Sequence, residues 1–418
     1  MHKKKEKVFK SDEMPRIRHL YVRDILPNLD IAAFDNLKNK EEIKALLPSK
    51  INQKISFVMC NTHTAIANAI RHIVLMELRV RALDIDITDI STNDKEIMLA
   101  ELKDRISFIP IDQNIPLDTV FSLSASNSDT KQDYLTVRSK SLVQVGGKVL
   151  PEPAFSSTFR LLKLKPGRVI EIPNIRVVEG FGYIHSKFSL TSEFKFQVRD
   201  YVDIECLNEK GNIIRKMVKR DELINVLISK KVSHPLIKEK GEKNDINRRL
   251  YNWKILLVPN SAYLGVVSKR MLHKIQSCDV VLEDVDIQDH SSSKVEPKEY
   301  FLEFTTYGNI QPLQMMRNVC DNIIDRLEHI SNIENLVVIE DSEKTRILIR
   351  GEDHVMSGLL KRIIFDLDPS IGLINSKIEH PELRVVIINI IHSAPMEIFF
   401  DAVKKLKTIF KDLRSQFV

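Results

Sequence analysis

The chain has 418 residues, of which 43% are apolar and 29% charged, so it is long enough for two or three globular domains and is not expected to be disordered. Its 63 basic and 57 acidic residues leave a formal charge of only +6, which argues against a dedicated DNA-binding surface. The apolar runs are too short to span a membrane and the charged N-terminus is unlike a signal peptide, which predicts a soluble, intracellular protein.

The N-terminal part of the chain predicts an extension followed by a strand and a helix. Residues 1–50 are charged and interrupted by prolines, and we predict at most one short helix there. Ile51–Cys60 alternates as a strand does, and Asn61-Thr-His-Thr then offers N-cap residues for a helix over Ala65–Leu78. Small alanines on this helix would let a partner approach closely.

A pair of carboxylates follows this helix. Leu83–Ile90 alternates apolar and acidic residues, which predicts a strand with Asp84 and Asp86 on one face. Both a metal site and a solvated strand face fit such a pair. Because no third ligand stands at suitable spacing, the solvated face is the preferred interpretation.

The middle of the chain predicts a β-rich insert between Asp104 and Arg199, where short apolar runs are punctuated by proline and glycine. The predicted strands are Arg105–Ile111, Tyr134–Val145, Phe159–Leu164, Val169–Ile172 and Phe188–Val198. In the stretch 202–296 we predict a helix over Met217–Val232 and strands over Trp253–Val258 and Asp279–Ile287, with their pairing left open. The four cysteines form no CxxC pair, which favours structural thiols over a metal site.

Two long amphipathic helices are predicted near the C-terminus, each with a proline in its first turn, at Pro312 and Pro395. Their apolar stripes are Leu313, Met316, Val319, Cys320, Ile323, Ile324, Leu327 and Ile330 in one, and Phe399, Ala402, Val403, Leu406, Ile409, Phe410, Leu413 and Phe417 in the other. Helices of roughly 30 Å are too long for a small sheet to cover. We expect the two stripes to cover each other, and the alternative is that each serves only its own core.

The strand–helix–strand pattern of Ile55–Ile87 returns at Arg346–Lys377, and each copy is followed by a strand, a short turn and one of the long helices. A repeat of this size predicts two similar folds that pack as a pseudo-dimer.

Several segments, in this order, resemble the larger α-like component of multisubunit DNA-directed RNA polymerases, which is the third subunit of polymerase II and its archaeal D-like counterpart. These segments are Thr64–Leu78, Ala82–Ile85, Arg105–Ile111, Val137–Val143, Lys163–Gly167 and Gly180–Lys187. Segments 352–361 and 377–381 resemble the smaller α-like partner, the eleventh subunit of polymerase II and its archaeal L-like counterpart. Both partners lie in one chain here, which resembles the fused version carried by large DNA viruses.

Three departures from the family pattern stand out. Ser357-Gly358 replaces the usual Gly-Asn, so an interaction at the start of that helix is expected to be lost. No cysteine cluster lies between residues 84 and 200, so no metal is expected there. The stretch 202–296 has no counterpart in the family.

The resemblance implies an α+β fold in which two α-like dimerisation modules, each a sheet with long helices, form an intramolecular pseudo-dimer, with a β-rich insert domain in the first half. The expected parts are an N-terminal extension over 1–50, the larger module over 51–103 and 297–331, the insert over 104–200, an insertion of unknown contacts over 201–296, and the smaller module over 332–418. Ser331–Lys344 would act as a linker that keeps the modules at high effective concentration.

The resemblance also implies a function. The chain would be a non-catalytic assembly platform of a viral DNA-directed RNA polymerase, holding the largest and second-largest subunits near a small zinc-bearing subunit similar to the tenth subunit of polymerase II. It would need no cofactor and would meet DNA only through the complex, in the host cytoplasm at viral factories or in the nucleus, and it could be packaged in the virion. The triple-aspartate loop of the catalytic subunit is absent from this sequence, so no catalytic residue is expected.

The residues expected to matter fall in two groups. The expected dimerisation face is Ile66, Ile70, Ile73, Met316, Val319, Ile323, Leu327, Leu359, Leu360, Ile363, Phe399, Val403, Leu406, Phe410 and Leu413. The expected contacts with other subunits are Arg71, Arg105, Gly180, His185 and Lys187.

Two other functions fit single features of the sequence. A sequence-independent nucleic-acid-binding factor would fit the basic N-terminus, but a clustered basic stripe and a series of stacking aromatic residues are missing. A hydrolase that uses His185 or the Asp84 and Asp86 pair lacks any supporting nucleophile or metal motif.

Overall fold

The computed structural model describes residues 14–25, 52–128, 133–148, 150, 159–191, 193–207, 212–230, 254–258, 273, 275–278, 280–283, 288, 298–307, 310–341, 344–378 and 384–418. The chain divides into two compact units. Unit 1 comprises Met1–Val58, Ala65–Phe196 and Leu302–Val418, and unit 2 comprises Met59–Thr64 and Gln197–Phe301.

The described elements are strands and helices, with a long run of strands between Val120 and Lys219 in the middle of the chain. In order, the strands are β1 (Arg16–Ile25), β2 (Asn52–Cys60), β3 (Arg79–Asp84), β4 (Ser91–Thr92), β5 (Val120–Ser126), β6 (Leu135–Arg138), β7 (Leu142–Gly146), β8 (Arg160–Leu164), β9 (Val169–Phe181), β10 (Phe194–Val198), β11 (Tyr201–Leu207), β12 (Ile213–Lys219), β13 (Ile255–Val258), β14 (Val280–Glu283), β15 (Tyr300–Thr306), β16 (Leu336–Glu340), β17 (Thr345–Arg350), β18 (Leu373–Ile378) and β19 (Val385–Ile391). The helices are α1 (Thr64–His72), α2 (Leu99–Ser107), α3 (Arg220–Ser229), α4 (Pro312–Ser331), α5 (His354–Leu367) and α6 (Pro395–Gln416). The fold is therefore of the α+β class.

The sequence repeat is also a repeat of structural elements. Copy 1 consists of β2, α1, β15 and α4, and copy 2 consists of β17, α5, β19 and α6. In both copies the first and third of these elements are the two central strands of a four-stranded sheet, with orders β1-β2-β15-β10 and β16-β17-β19-β18. The sheet of copy 2 is antiparallel throughout.

The two sheets differ in which part of the chain supplies the fourth strand. In copy 2, the strand that follows helix α5 returns to the sheet, where β18 pairs with β19. In copy 1, the corresponding strand β3 pairs instead with β9 of the insert, and β10 takes the place next to β15. The insert is thus joined to copy 1 through a strand that the repeat alone would assign to copy 1's own sheet.

The insert is built on a sheet of order β3-β9-β5-β7, with β4 also paired to β9 and a separate pair of β6 and β8. Long strand β9 turns Ile170, Ile172, Ile175 and Val177 into the core, and a register shift against β5 accounts for the three-residue step between Ile172 and Ile175. Residues before 104 also contribute to this core, so the insert begins earlier in the chain than expected. These additional core residues are Leu83, Ile85, Ile90 and Leu102.

Several predicted strands of this region were wrong in type or length. Arg105–Ile111 is not a strand, because Arg105 and Ile106 lie in helix α2, where Leu102 and Ile106 face the core at helical spacing. Tyr134–Val145 is broken into β6 and β7 by a 3-10 turn at Ser139–Ser141. Val169–Ile172 is only the first part of β9, whereas Phe159–Leu164 is confirmed as β8.

Two further strand predictions differ in their ends. Phe188–Val198 begins with the last residue of a 3-10 turn, and its strand is limited to β10. Leu83–Ile90 is not one strand, because β3 ends at Asp84 and Asp86 caps a following 3-10 turn, Ile87–Asp89, by accepting the Thr88 amide. Asp84 and Asp86 therefore do not share a strand face.

Unit 2 contains the stretch whose pairing the sequence left open. Its sheet has the order β12-β11-β13-β14, antiparallel between β11 and β12 and parallel between the other neighbours. Helix α3 buries Leu223 and Leu227 in the core of this sheet. The predicted helix over Met217–Val232 starts too early, because Met217 to Lys219 complete β12. The predicted strands near 255 and 280 are confirmed as β13 and β14, while residues 253, 279 and 284–287 lie outside the described residues.

The expected N-terminal extension and the expected linker both contain strands. Within residues 1–50 the described part, 14–25, contains β1. The short helix expected in this extension does not lie there, and residues 1–13 and 26–50 lie outside the described residues. The expected linker Ser331–Lys344 holds a 3-10 turn, Ile333–Asn335, and then β16, which pairs with β17. Across the described part of the chain, each helix is too short or too polar to cross a bilayer.

Gly180, at the end of β9, is a position where a side chain should be costly. A Cβ there would lie 2.5 Å from the ring of Phe188, so we expect Gly180→Ala to lower the free energy of unfolding by about 1–3 kcal/mol. Gly358→Ala is the matched control, because no atom lies within 4 Å of its Cβ position in helix α5. Alanine should there be neutral or stabilising by about 0.5–1 kcal/mol. Thermal unfolding of both variants tests this, and equal melting temperatures would contradict it.

Candidate subunit interface

The expected dimerisation face is buried in the structure. Every one of its residues is at most 2% exposed. These residues lie on α1 and the π-helical turn Ile73–Glu77 that extends it, on α4, on α5 and on α6. At the start of the α4 stripe Leu313 is only half-buried, and Pro312 and Met315 are buried instead, while the rest of the stripe is buried as expected.

The long helices of the two copies pack against each other. Helices α4 and α6 are in contact, and α6 also packs on α5 of its own copy. At one end of the pair, Arg317 Nε donates to the Phe417 carbonyl oxygen at 2.7 Å, and the Phe417 ring meets Phe57 of β2 edge-on at 5.4 Å. Asp321 of α4 also pairs with Arg414 of α6 at 2.5 Å. The apolar stripes therefore share one core within unit 1.

Strand β1 also contacts the last turn of α6. The Ile17 amide donates to Gln416 Oε1 at 2.7 Å, and Gln416 Nε2 donates to the Pro15 carbonyl oxygen at 3.1 Å. The amide side chain of Gln416 thus bonds the backbone of β1 in both directions. This contact joins the edge strand of the copy 1 sheet to the last helix of copy 2.

A charged cluster joins the copies beside this core, and we call Glu77, Arg326, Glu352 and Asp353 the Arg326 cluster. Arg326 of α4 donates from Nη1 to Glu77 at 2.6 Å, from Nη2 to Asp353 at 3.0 Å, and from Nε to Glu352 at 2.8 Å, with a second Nη2 contact to the same Glu352 oxygen. Glu352 is 4% exposed. One guanidinium therefore satisfies three carboxylates that come from both copies.

The environment of the Arg326 cluster shifts the ionisation of its members. Burial raises the pKa of Glu352, against the opposing effect of Arg326. Burial would also raise the pKa of Asp353, but its hydrogen bonds and the Arg326 charge outweigh burial and hold that pKa below its ordinary value. The carboxylates keep the pKa of Arg326 above its ordinary value despite burial. The guanidinium is therefore permanently charged, and its removal would leave carboxylates without a counter-charge.

Asp353 has a second role at the start of α5. Its carboxylate accepts the amides of Val355 at 3.0 Å and Met356 at 3.3 Å, which makes it the N-cap of the helix. Ser357 Oγ bonds the His354 carbonyl oxygen at 3.0 Å. The helix start is thus capped although Ser357-Gly358 replaces the family's Gly-Asn.

His72, Glu77 and Asp353 each place a ligand atom within 4.8 Å of the others, a spacing that could hold a metal ion. Two of these carboxylates already bind Arg326, so a metal would have to compete with a fixed cation. We therefore expect elemental analysis of the purified chain to find no stoichiometric zinc. One zinc per chain that is lost in His72→Ala would contradict this expectation.

The residues expected to contact other subunits lie in different surroundings. Arg71 of α1 bonds Asn68 in the preceding turn at 3.3 Å and stays partly exposed. Arg105 of α2 is exposed, donates to the Leu161 carbonyl oxygen at 2.9 Å and pairs with Glu101. Both guanidinium groups are accessible to a partner, and their contact with another subunit stays a prediction.

The segment from Gly180 to Lys187 is anchored to copy 1 and to the insert. Gly182 approaches the Leu75 carbonyl so closely that a Cβ would lie 2.5 Å from its oxygen, and the Tyr183 amide donates to the Met76 carbonyl oxygen at 3.1 Å. His185 is exposed and accepts the Lys187 amide on Nδ1 at 3.1 Å. Residues 183–186 are exposed, so this part of the segment is accessible to a partner.

Lys187 is held within the chain by Asp84, whose Oδ1 lies 2.9 Å from Nζ. Lys103 lies 4.0 Å from the same oxygen. The backbone hydrogen bond from Thr88 lowers the pKa of Asp86. The Asp86 carboxylate is thus stabilised in the ionised form, which does not suit a general acid, and this gives no support to hydrolase chemistry at the pair.

Two open cavities lie beside α4 and the insert. The first, of about 560 Å³, is lined by Arg79, Arg81 and Glu179 together with polar side chains of α4. The second, of about 460 Å³, extends to Phe181 and Arg326. Arg79, Ile310 and Asn318 line both, so the two cavities adjoin and form one open groove along α4.

Sequence reasoning missed the Arg326 cluster as a unit. The available signal was a charged residue within an apolar stripe, since Arg326 stands next to Leu327 and one turn from Ile323. Its partner Glu77 stands 249 positions away, and that distance hides the pairing from any local pattern.

The chain is similar to proteins of African swine fever virus. No family model matches it. It is 24% identical over 308 residues to the "DNA-directed RNA polymerase RPB3-11 homolog" of isolate Warthog/Namibia/Wart80/1980, and 25% identical over the same length to that of strain Badajoz 1971 Vero-adapted. Each match covers 71% of this chain and 66% of the relative, slightly less than two thirds of its length. The resemblance to a fused pair of α-like polymerase subunits from a large DNA virus is thereby confirmed.

Proposed function

We propose that this chain is a subunit of a DNA-directed RNA polymerase that serves viral transcription. Its two copies form an intramolecular pseudo-dimer that acts as the assembly platform of the enzyme. The observation that carries the proposal is the packing of α4 on α6 within one chain, together with the similarity to relatives named as fused polymerase subunits. The partners are the largest and second-largest subunits and a small zinc-bearing subunit, inside the infected cell.

The architecture supports a platform better than a catalyst. The Arg326 guanidinium is already bound by three carboxylates of the chain itself, which supports a structural role for it. The Asp84 and Asp86 carboxylates are likewise held by lysine and by a turn amide. The chain is therefore non-catalytic by itself, and the chemistry of the polymerase resides in other subunits.

The open groove beside α4 is the proposed contact region for a large subunit. It lies next to the Gly180–Lys187 segment and presents Arg79 and Arg81 together with amide side chains. A rim of polar and charged groups around a buried apolar core is common in protein interfaces. Arg71, Arg105 and His185 are proposed to extend this contact.

The test is co-expression of the tagged chain with the other polymerase subunits of its own virus, followed by capture on the tag. The expected result is a complex that contains the two largest subunits and synthesises RNA, and that survives a salt wash. Arg79→Ala/Arg81→Ala should weaken recovery of a large subunit while the melting temperature of the isolated chain changes little.

Two outcomes would oppose the proposal. Capture of the chain alone under all salt conditions would exclude a platform role. Salt-sensitive DNA affinity of the isolated chain, without any polymerase subunit, would instead favour a sequence-independent nucleic-acid-binding factor.

A further inference from the structure

The Arg326 cluster is asymmetric with respect to the repeat. Copy 1 contributes Glu77 and Arg326, whereas Glu352 and Asp353 come from the turn between β17 and α5 in copy 2. A true two-fold arrangement of identical copies would produce the same cluster twice. The residues at the equivalent positions show that this is not the case.

The equivalent residues can be assigned from landmarks that both copies share. Ile409 stands as far from Pro395 in α6 as Arg326 stands from Pro312 in α4, and Ile409 is 3% exposed. The turns that precede α1 and α5 begin with left-handed residues, Asn61 (φ 53°) and Gly351 (φ 80°). Thr62 therefore corresponds to Glu352.

The third charged position follows the same rule. Leu367, the last residue of α5, stands as far from the start of its helix as Glu77 stands from the start of α1. Arg326, Glu352 and Glu77 thus each have an uncharged counterpart in the other copy, and by the same landmarks Asp353 corresponds to His63.

This asymmetry discriminates between possible pairings. In a pair made of two second copies, Glu352 of one chain would be buried beside Ile409 of another, with no cation to compensate it. In a pair made of two first copies, Arg326 would keep Glu77 of its own copy but would meet Thr62 in place of Glu352, and it would lose the carboxylates of Glu352 and Asp353. A buried charge without a partner carries a penalty on the order of 100-fold in the pairing equilibrium.

We propose that Arg326 and Glu352, with Glu77, are specificity-determining residues that make unlike copies pair and prevent like copies of different chains from pairing. The inference rests on the intramolecular pseudo-dimer of the proposed function. Burial of the apolar stripes would stabilise a pair of like copies and a pair of unlike copies alike, and the Arg326 cluster favours the unlike pair. This selection matters while many chains fold at the same time, when apolar faces of different molecules meet.

The test compares three full-length chains. The first is the wild type, and the second is R326I. The third carries Arg326→Ile, Glu77→Leu and Glu352→Thr, so that each position holds the residue of the other copy. Two differently tagged preparations of each chain are mixed in denaturant, refolded together and captured on both tags in succession. The first copy of one chain can also pair with the second copy of another chain. Such pairs give a mixed-tag background that is common to the wild type and the triple variant.

The expected result is a mixed-tag fraction at least about ten-fold higher for the triple variant than for the wild type, because the penalty on like pairs is gone. The triple variant should also melt at a higher temperature than R326I, which keeps Glu77, Glu352 and Asp353 without their cation. A mixed-tag fraction equal to that of the wild type would overturn the inference. So would a triple variant that melts as low as R326I, because the cluster would then serve stability and not selection.

These readouts use only the chain. A negative result would leave the proposed polymerase function standing, and failure to capture polymerase subunits would leave the pairing result standing.

Discussion

Ile323→Asp and Leu406→Asp are each expected to abolish recovery of the folded chain, and with it recovery of the assembled polymerase. Both side chains are 0% exposed, one on α4 and the other on α6. Each substitution removes apolar contacts worth roughly 2–5 kcal/mol and places a carboxylate in a fully buried position. The total is comparable with the whole stability of many domains, about 5–15 kcal/mol.

The measurement is the yield of soluble monomer together with its melting temperature. Thr408→Asp is the matched control, because Thr408 is on the exposed face of α6 close to Leu406. It should leave yield and melting temperature near the wild-type values. If Ile323→Asp or Leu406→Asp gave wild-type yield, the shared core of α4 and α6 would not be the main stabilising contact of the two copies.

Arg326→Met should have the second largest effect, a loss of about 3–5 kcal/mol in the free energy of unfolding. Methionine keeps much of the side-chain volume but leaves Glu77, Glu352 and Asp353 without the cation that holds them together. Glu352 is the most costly of the three, because it is the most deeply buried. Chemical denaturation monitored by circular dichroism measures the change.

The control for this prediction is Arg346→Met, which removes a guanidinium from an exposed pair with Asp341. An exposed ion pair contributes about 0–1 kcal/mol, so this variant should unfold almost as the wild type does. Similar small losses in both variants would mean that water reaches the Arg326 cluster and that its charges are not buried in solution.

The repeat and its long helices could be predicted from the sequence because their signals are local. A proline at the first turn and an apolar residue every three or four positions fix the start and the buried face of α4 and α6. The same periodicity also marked the apolar residues that the structure buries, since a stripe of that length needs a second surface to cover it. Each element needed only its own residues for its assignment.

Strand partners and the charged cluster could not be predicted because they depend on distant residues. β3 follows α1 as β18 follows α5, yet β3 pairs with β9 of the insert, which no pattern within β3 reveals. In the segment that begins at Arg105, apolar residues at two-residue and three-residue spacing fit a strand and a helix alike, and packing of Leu102 and Ile106 on the insert core decided for the helix. Arg326 carried no prediction, because its three carboxylate partners stand far from it in the sequence or in the other copy.

The most direct test of the central claim is the stoichiometry of this chain in the purified polymerase, measured by native mass spectrometry. If the two copies of one chain pair with each other and together fill both α-like positions, each polymerase will contain one chain per largest and second-largest subunit. Two chains per enzyme, each supplying one α-like module, would contradict the account, as would an active polymerase that lacks the chain.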